Sequence, residues 1–481
     1  MVFPCRACDF AAGADPIPVY RWALFEIGFS TRRQVTEKQS HSRGNPRQPR
    51  NASDLAPGRY PGFVNRRVAL VALVLLTAVA CGQAVQSQSH QLVLGAVYPL
   101  SGPQAAGGRE ELAGVQAALQ LARTTGGLKV PVRLQVVDAG TPQQASAAVN
   151  ELVRDYHVPA ILGTYGSTLS AASSARAEAL KTIYWETGAV ADPITAQRRY
   201  VFRTVATGSS LGRMAVTFTH EVLIPQSKVS TPRVVVVQVN DIYGRSVGGG
   251  EQSVAKDLGI PVVDVIEYDP HAYDATAIAA RVASDHPDFL WDVSYLDDGV
   301  AIWQALLNKH VQVKGAVGTS SAFCMLAFSQ RLGSGSIGVY AADKPDAEIS
   351  PAALTPAGQA LLAQARSVYA GANGGPAMTI PAVAGFVGAW ALFHDVLGHV
   401  PGAVTSEAIR AAALSVDVPV GDSINGGGVR FGGPGVLDEG QNTRSSAVVS
   451  QWQAVGDMKV VYPPAFATGA PIELPAGVQP G

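Results

Sequence analysis

Two patterns of apolar and polar positions alternate along most of the chain: short continuous apolar runs, and longer segments in which apolar residues recur with helical spacing. Short apolar runs separated by segments of helical spacing occupy 92–97, 108–123, 132–140, 143–155 and 158–167 in that order. A second series of the same kind occupies 233–241, 246–258, 262–268, 275–284 and 289–298. Strands that alternate with helices indicate a parallel sheet covered by helices on both faces. The pattern therefore predicts an α/β protein with two doubly wound lobes, each a mostly parallel sheet flanked by helices, joined where the pattern breaks near 205–232.

One strand end carries an unexpected charge. The stretch YWETGAVAD at 184–192 resembles the end of a buried strand that runs into a turn, yet Glu186 directly follows two aromatic residues. A carboxylate removed from water must be paired or hydrogen-bonded, since its desolvation costs several kcal/mol. Ligands of doubly wound folds bind beyond the carboxyl ends of the strands. Residues just after each strand are therefore the first candidates for a binding site.

The first ninety residues differ from the rest of the chain. Residues 31–62 are rich in Arg, Ser, Gln, Asn and Pro, a composition typical of disorder. NRR at 65–67 precedes an apolar run at 68–80 that is too short for a transmembrane helix, which needs about 20 residues, but suits a secretory signal. The sequence before Cys81 resembles the lipobox of bacterial lipoproteins, in which that cysteine is lipidated. We expect a disordered extension or a mis-assigned start at 1–63, a signal peptide at 64–80 and a lipidated cysteine with its linker at 81–91; the alternative is a core helix that ends in a cysteine.

Composition and motifs exclude several function classes. The 481 residues are 47 % hydrophobic with a formal net charge of -1, so no basic field favours nucleic acid. The four cysteines form no disulfide framework, and Cys324 is interpreted as a small buried residue. HEVLI at 220–224 lacks the second histidine of a zinc site, and the glycine-rich 246–253 lacks the lysine of a phosphate loop. We expect no enzyme activity, no metal and no cofactor.

Several segments in order resemble one family. VLGAVYPLSGPQAAGGREELAGVQAALQLA, VVDAGTPQQASAAVNELV, AILGTYGS, VNDIYGRSV and VRFGGPGVLDEGQN are similar to the type I periplasmic binding proteins, particularly the leucine/isoleucine/valine-binding group that supplies ABC transporters. The resemblance extends from Leu92 to about Pro464. It implies a two-lobed fold with a hinge, with the N-terminal lobe at 92–213 and about 345–400, the C-terminal lobe at 214–344 and about 401–464, and a tail at 465–481.

The resemblance also implies a ligand site between the lobes. Ser167 matches a serine that binds the ligand's carboxylate, and Gly188 and Val190 match positions that hold the amino-acid head group. Tyr243 and Tyr295 match aromatic residues of the far wall. Alternatives stay open for three of them: Ser167 as a turn hydroxyl, Tyr243 as a half-exposed tyrosine at a strand-to-helix turn, and Tyr295 as a neighbour of two helix-capping aspartates.

Two departures from the family change the expected ligand. The family has threonine at the position of Val190 and an acidic residue at the position of Ser320, where it neutralises a ligand ammonium. We hypothesise that Glu186 supplies the missing charge to a cationic or polyhydroxylated ligand, with Trp185 or Tyr165 stacked on it and Thr187 beside it. The alternative is that Glu186 caps the following turn or pairs with Arg203.

These expectations combine into one function. The resemblance implies a lipoprotein on the outer face of the cytoplasmic membrane, anchored by Cys81, that binds an amino acid, an amide or a related polar solute. Hinge closure traps the solute, which passes to ABC permease subunits. We expect a monomer. The alternative is a receptor of the same fold that signals occupancy to a partner protein, and a hydrolase has no catalytic constellation behind it.

Overall fold

The first sheet contains five parallel strands. The computed structural model describes residues 91–375 and 377–473. Strands of the first sheet lie in the order β2-β1-β3-β4-β5, with bounds Leu92–Tyr98 (β1), Val132–Asp138 (β2), Ala160–Leu162 (β3), Ile183–Glu186 (β4) and Val201–Arg203 (β5). The helices between them are Ala105–Thr124 (α1), Pro142–Tyr156 (α2) and Ser167–Ala179 (α3). All of these strand pairs are parallel, as the alternation of the first series predicts.

Local sequence sets the bounds of α2. The Thr141 side chain accepts a hydrogen bond from the Gln144 N–H at 3.2 Å, and the Gln144 side chain accepts one from the Thr141 N–H at 3.1 Å. This reciprocal capping satisfies two N–H groups that the first helical turn leaves free. Pro142 stands at the first helical position, where its missing N–H costs nothing. The helix ends at His157, whose φ of 51° is left-handed.

The second sheet contains seven strands. Its order is β12-β11-β10-β9-β8-β6-β7, with bounds Val234–Val239 (β6), Val262–Tyr268 (β7), Phe289–Val293 (β8), Gly315–Thr319 (β9), Tyr340–Asp343 (β10), Val448–Ala454 (β11) and Asp457–Tyr462 (β12). Strands β6 to β10 run parallel, and β11 and β12 add an antiparallel edge. The second lobe also contains helices Gly208–Phe218 (α4), Ile224–Ser227 (α5), Ile242–Asp257 (α6), Ala275–Asp285 (α7), Leu296–Asn308 (α8) and Leu326–Leu332 (α9).

Three further helices complete the first lobe. They are Pro356–Asn373 (α10), Ile380–Trp390 (α11) and Ser406–Ala413 (α12), and all contribute to the core around β1, β3 and β4. Among the described residues, Ile380–His399 is the one helical stretch long and apolar enough to cross a membrane, and 83 % of its most apolar window is buried. Its apolar side chains are therefore those of a core helix packed on α1.

The lobe boundaries differ from the predicted ones. The predicted boundary between 213 and 214 falls inside α4. Leu211, expected in the first lobe, packs in the core of the second, as Val216 and Phe218 do beside β6, so the whole helix belongs to the second lobe. Residues 401–447 were expected in the second lobe, but Val429 and Phe431 pack in the first. The Phe431 ring meets the Trp185 ring edge-on with centroids 5.3 Å apart. This apolar contact holds the irregular segment against β4.

The chain crosses between the lobes after β5, after β10 and before β11. Asp343 ends β10, and Ala347, four residues later, already lies in the core of the first lobe. The predicted extension, signal peptide and Cys81 lie outside the described residues. Part of the predicted tail is packed, since the Thr468 N–H donates to the Val460 carbonyl at 2.8 Å.

Candidate functional site

The Glu186 carboxylate lies at the end of β4 and points into its own turn. One oxygen accepts hydrogen bonds from the Gly188 and Ala189 N–H groups at 2.7 and 2.6 Å. The other accepts from the Thr164 N–H at 3.3 Å and from the Ser170 hydroxyl. The side chain is fully buried. This geometry is that of the turn-capping alternative, and a ligand contact by Glu186 stays a prediction that would require some of these bonds to break.

Glu186 does not form a direct ion pair with Arg203. The guanidinium of Arg203 bonds to Gln441, to the carbonyl of Ala191 and to Thr195. Burial raises the pKa of the Glu186 carboxyl, while its hydrogen bonds and the charge of Arg203 act in the opposite direction. The buried charge at this strand end is therefore compensated mainly by N–H and O–H donors.

A second buried glutamate lies beside the same turn. Helix α1 supplies Glu111, one of whose oxygens accepts a hydrogen bond from the Thr187 hydroxyl at 2.6 Å. That hydroxyl also lies 2.7 Å from the Tyr98 hydroxyl. The other Glu111 oxygen has no hydrogen-bond partner among the described residues. Burial and the nearby charge of Glu186 both raise the pKa of Glu111.

Our sequence reasoning missed Glu111, although its helix contains a signal. Helical spacing places Glu111 on one face with Gly108, Leu112 and Val115, and all four are buried. A carboxylate on an apolar helix face is rarely buried without a partner. Glu111 was therefore recognisable as a candidate from the period of α1 alone.

A buried ion pair lies where the chain crosses after β10. The Lys344 ammonium is 2.9 Å from one Asp343 oxygen, 3.2 Å from the Ser320 hydroxyl and 3.5 Å from the Gly188 carbonyl. Gly188 belongs to the first lobe and Ser320 to the second, so this ammonium bridges the lobes. Burial alone would lower the pKa of Lys344, but the charge of Asp343 and other neighbours raises it above its usual value. The sequence analysis did not identify either member of the pair.

The predicted residues of the first lobe lie along the carboxyl edge of its sheet. Tyr165 donates a hydrogen bond from its hydroxyl to the Ser321 carbonyl of the second lobe at 3.3 Å. The Ser167 hydroxyl accepts from the Ala191 N–H at 3.2 Å, as in its turn alternative. Val190 is 2 % exposed and packs in the core of the second lobe. Tyr165 and Val190 thus both contact the opposite lobe.

The predicted residues of the second lobe form a neighbouring group. The Tyr243 hydroxyl donates to the Thr319 carbonyl at 2.7 Å, and its ring lies 5.3 Å from that of Tyr295. Tyr295 donates to an Asp241 carboxylate oxygen at 2.6 Å. Ser320, with a left-handed φ of 40°, directly follows Thr319. The structure therefore brings Tyr243 beside Ser320 and so toward Gly188.

Outside the lobe boundary, the described residues give weaker support for a solute site. A surface depression of about 740 Å³ lies at the opposite edge of the second sheet, lined among others by His286, His310 and Lys314. Across 91–375 and 377–473 no three His, Cys, Asp or Glu side chains are placed to hold a metal ion. The carboxyl edges of both sheets meet around Gly188, Ser320 and Lys344, which makes this boundary the candidate site.

A family comparison agrees with this architecture. The model of the family described as "Periplasmic binding protein" matches residues 91–456. The chain belongs to this family. Among curated members, a Leu/Ile/Val-binding protein homolog 8 from Brucella suis is 27 % identical over 399 residues, covering 81 % of this chain and 96 % of the relative. Homolog 7 from the same organism is 26 % identical over 411 residues, covering 84 % and 99 %.

Solved structures of other proteins share the fold. A branched-chain amino acid transporter substrate-binding protein from Streptococcus pneumoniae, in complex with isoleucine, matches with a TM-score of 0.64 and 18 % identity over 78 % of this chain and 100 % of that one. A solute-binding protein of R. palustris in complex with benzoate has a TM-score of 0.63 and 17 % identity over 79 % and 98 %. The predicted type I periplasmic binding protein fold is confirmed.

Proposed function

We propose that this protein is the extracytoplasmic solute-binding component of an ABC importer. It captures a small polar solute, such as an amino acid, an amide or a related compound, between its lobes and closes on it by hinge motion. The observation that carries the proposal is the bridge of Lys344 between the Gly188 carbonyl and the Ser320 hydroxyl, at the meeting edges of both sheets. Bound isoleucine and benzoate in two proteins of the same fold support a solute of this size.

Closure follows from contacts that need both lobes. Tyr165 of the first lobe reaches the Ser321 carbonyl of the second, and the Asp192 N–H donates to the Ser246 hydroxyl at 3.1 Å across the same boundary. A solute that contacts both edges favours the state in which these contacts form, because only that state satisfies both sets of groups. No bond of the solute is made or broken in this cycle.

The first test is thermal unfolding of the protein with amino acids, amides, polyamines, betaines, sugars and small carboxylates. A solute at 100 times its Kd stabilises the folded state by about 2.7 kcal/mol. We expect Tyr165→Ala to lower the affinity for that solute at least tenfold. Tyr156→Ala is the matched control, because Tyr156 lies at the end of α2 and packs within the first lobe. Stabilisation by none of these solutes, or equal affinity loss in both variants, would contradict the proposal.

We also propose attachment to the outer face of the membrane through lipidated Cys81. The apolar run before it and the arginines that precede the run support this. Two or more acyl chains would hold the protein stably, at about 0.8 kcal/mol per buried CH₂. Membrane fractionation is the measurement: Cys81→Ser should move the protein to the soluble fraction, whereas Cys324→Ser should not. A Cys81→Ser protein that stays with the membrane would contradict the anchor.

A further inference from the structure

Two buried carboxylate oxygens at the lobe boundary lack an N–H or O–H donor among the described residues. One is an oxygen of Glu111, in the first lobe, and the other is an oxygen of Asp343, at the end of β10 in the second. The two residues are 0 % and 1 % exposed. Buried polar atoms of folded proteins nearly always have a hydrogen-bond partner, because an unmet acceptor costs the free energy of its lost hydration. A donor from outside the described protein groups would satisfy both.

Glu111 lies against Gly188, and Asp343 is connected to the same residue through Lys344. A Cβ atom on Gly188 would be 1.9 Å from the free Glu111 oxygen, so this oxygen lies directly against the glycine backbone. Asp343 is linked to the same glycine from the other lobe through Lys344, whose ammonium reaches the Gly188 carbonyl. Glu111 of the first lobe and Asp343 of the second both act on the charge of Lys344, so the two carboxylates belong to the same buried cluster at the lobe boundary.

The charges around these acceptors are unbalanced. Lys344 forms an ion pair with Asp343 and also attracts Glu111, but the nearby charge of Glu186 acts on Glu111 more strongly in the opposite direction. Glu186 has four hydrogen-bond donors, while Glu111 has the Thr187 hydroxyl alone among the described residues. The ionisable groups that interact electrostatically with Glu111 or Asp343 are Tyr98, Tyr165, Tyr184, Glu186, Tyr243, Cys324 and Lys344. Apart from Lys344, all of them are neutral or acidic, so an added positive charge beside Glu111 is favourable.

We propose that Glu111 and Asp343 are specificity-determining residues that accept hydrogen bonds from a protonated nitrogen of the solute, as in an amine, an amidine or a guanidine. This inference rests on the proposed function. It gives Glu111 the role that the sequence suggested for Glu186, because Glu111 retains a free oxygen and Glu186 does not. Burial and the charge of Glu186 raise the pKa of Glu111, so binding of the cation displaces a proton from this carboxyl to solvent.

The test uses probe pairs that share a carbon skeleton but differ in charge. Suitable pairs are 3-methylbutylamine with 3-methylbutanoate, benzylamine with benzoate, and butane-1,4-diamine with butanedioate; leucine and leucinamide extend the series. Thermal unfolding and titration calorimetry measure binding. We expect the cation of at least one pair to bind and its anion not to bind. Glu111→Gln, which keeps the acceptor for Thr187, should weaken the cation at least tenfold, whereas Glu151→Gln on the exposed side of α2 should leave its affinity unchanged.

Proton release separates this role from a purely structural one. Calorimetry of the cation at pH 7, in buffers of different ionisation enthalpy, should show release of up to one proton per solute in the unaltered protein and none in Glu111→Gln. Binding of an anion or a neutral probe with unchanged affinity in Glu111→Gln would overturn the inference and leave the proposed function standing. Binding of none of the probes would count against the inference and the proposed function together.

Discussion

The crossing of α1 and α11 offers the sharpest test of the packing that positions Glu111. A Cβ atom on Gly114 of α1 would lie 1.9 Å from the Ala382 carbonyl oxygen and 2.9 Å from the Phe386 nitrogen. A Cβ on Gly385 would lie 2.1 Å from the Glu111 carbonyl oxygen. The two helix backbones therefore touch without side chains between them. Gly114→Ala should push the helices apart, because the blocking atom belongs to a backbone that cannot rotate away.

The magnitude follows from two opposing terms. Alanine stabilises a helix interior by about 1 kcal/mol relative to glycine, whereas overpacking a buried contact costs about 1–3 kcal/mol. With a backbone oxygen as the obstacle we expect the upper end of that range, and hence a net loss of about 2 kcal/mol. Gly249→Ala in α6 is the matched control, because a Cβ there meets no atom within 4 Å. That variant should gain up to about 1 kcal/mol.

Equilibrium unfolding in urea measures both variants against the unaltered protein. We expect Gly114→Ala and Gly249→Ala to differ by about 3 kcal/mol, with opposite signs. Since Glu111 lies one turn before Gly114, the destabilised variant should also bind solute more weakly. A Gly114→Ala protein as stable as Gly249→Ala would refute the close crossing of the two helices.

Two further substitutions test the buried carboxylates. Glu186→Gln should destabilise the fold by about 1–3 kcal/mol in thermal unfolding. The amide N–H₂ of the glutamine would face N–H and O–H donors that now donate to a carboxylate oxygen. Unchanged stability would mean that the turn does not depend on this carboxylate. Burial raises the pKa of Asp292 from 3.8 to about 8. The folded state therefore retains a proton that the unfolded state loses, so stability should fall as pH rises from about 4 to about 8. Asp292→Asn should flatten this part of the stability profile, and an unaltered slope would contradict the assignment.

Much of the fold was predictable because buried parallel strands are short apolar runs, and the helices between them repeat apolar residues at helical spacing. The apolar runs at 233–241 and 262–268 correspond to β6 and β7 within a few residues. Residues 401–447 were assigned to the wrong lobe because this segment has no such regular pattern. That segment has a single short helix and otherwise isolated bridges, and its place is fixed by tertiary burial of side chains such as Phe431 rather than by a period.

The candidate site was predictable in location but not in detail. The resemblance to the family identified Gly188 and Ser320, and the rule that ligands lie beyond strand ends pointed to Glu186, but neither gave a direction for the Glu186 side chain. One oxygen of that carboxylate accepts from two N–H groups of its own turn and the other from the Ser170 hydroxyl, so hydrogen bonds close to the strand end determine where it points. Lys344 was missed because two of its three oxygen partners, on Gly188 and Ser320, come from distant parts of the chain, and a lysine after a strand usually indicates solvent exposure.

Accessibility of Cys324 with and without solute tests the central claim of closure most directly. Cys324 as a whole is 5 % exposed, and Tyr165 of the opposite lobe contacts Ser321 and Met325, which lie on either side of it in the sequence. The measurement is the alkylation rate at Cys324, followed by peptide mass spectrometry so that other cysteines do not interfere. The account predicts that the solute giving the largest thermal stabilisation slows this alkylation at least tenfold, because it holds the lobes closed over the thiol. An equal rate with and without that solute would contradict binding by hinge closure.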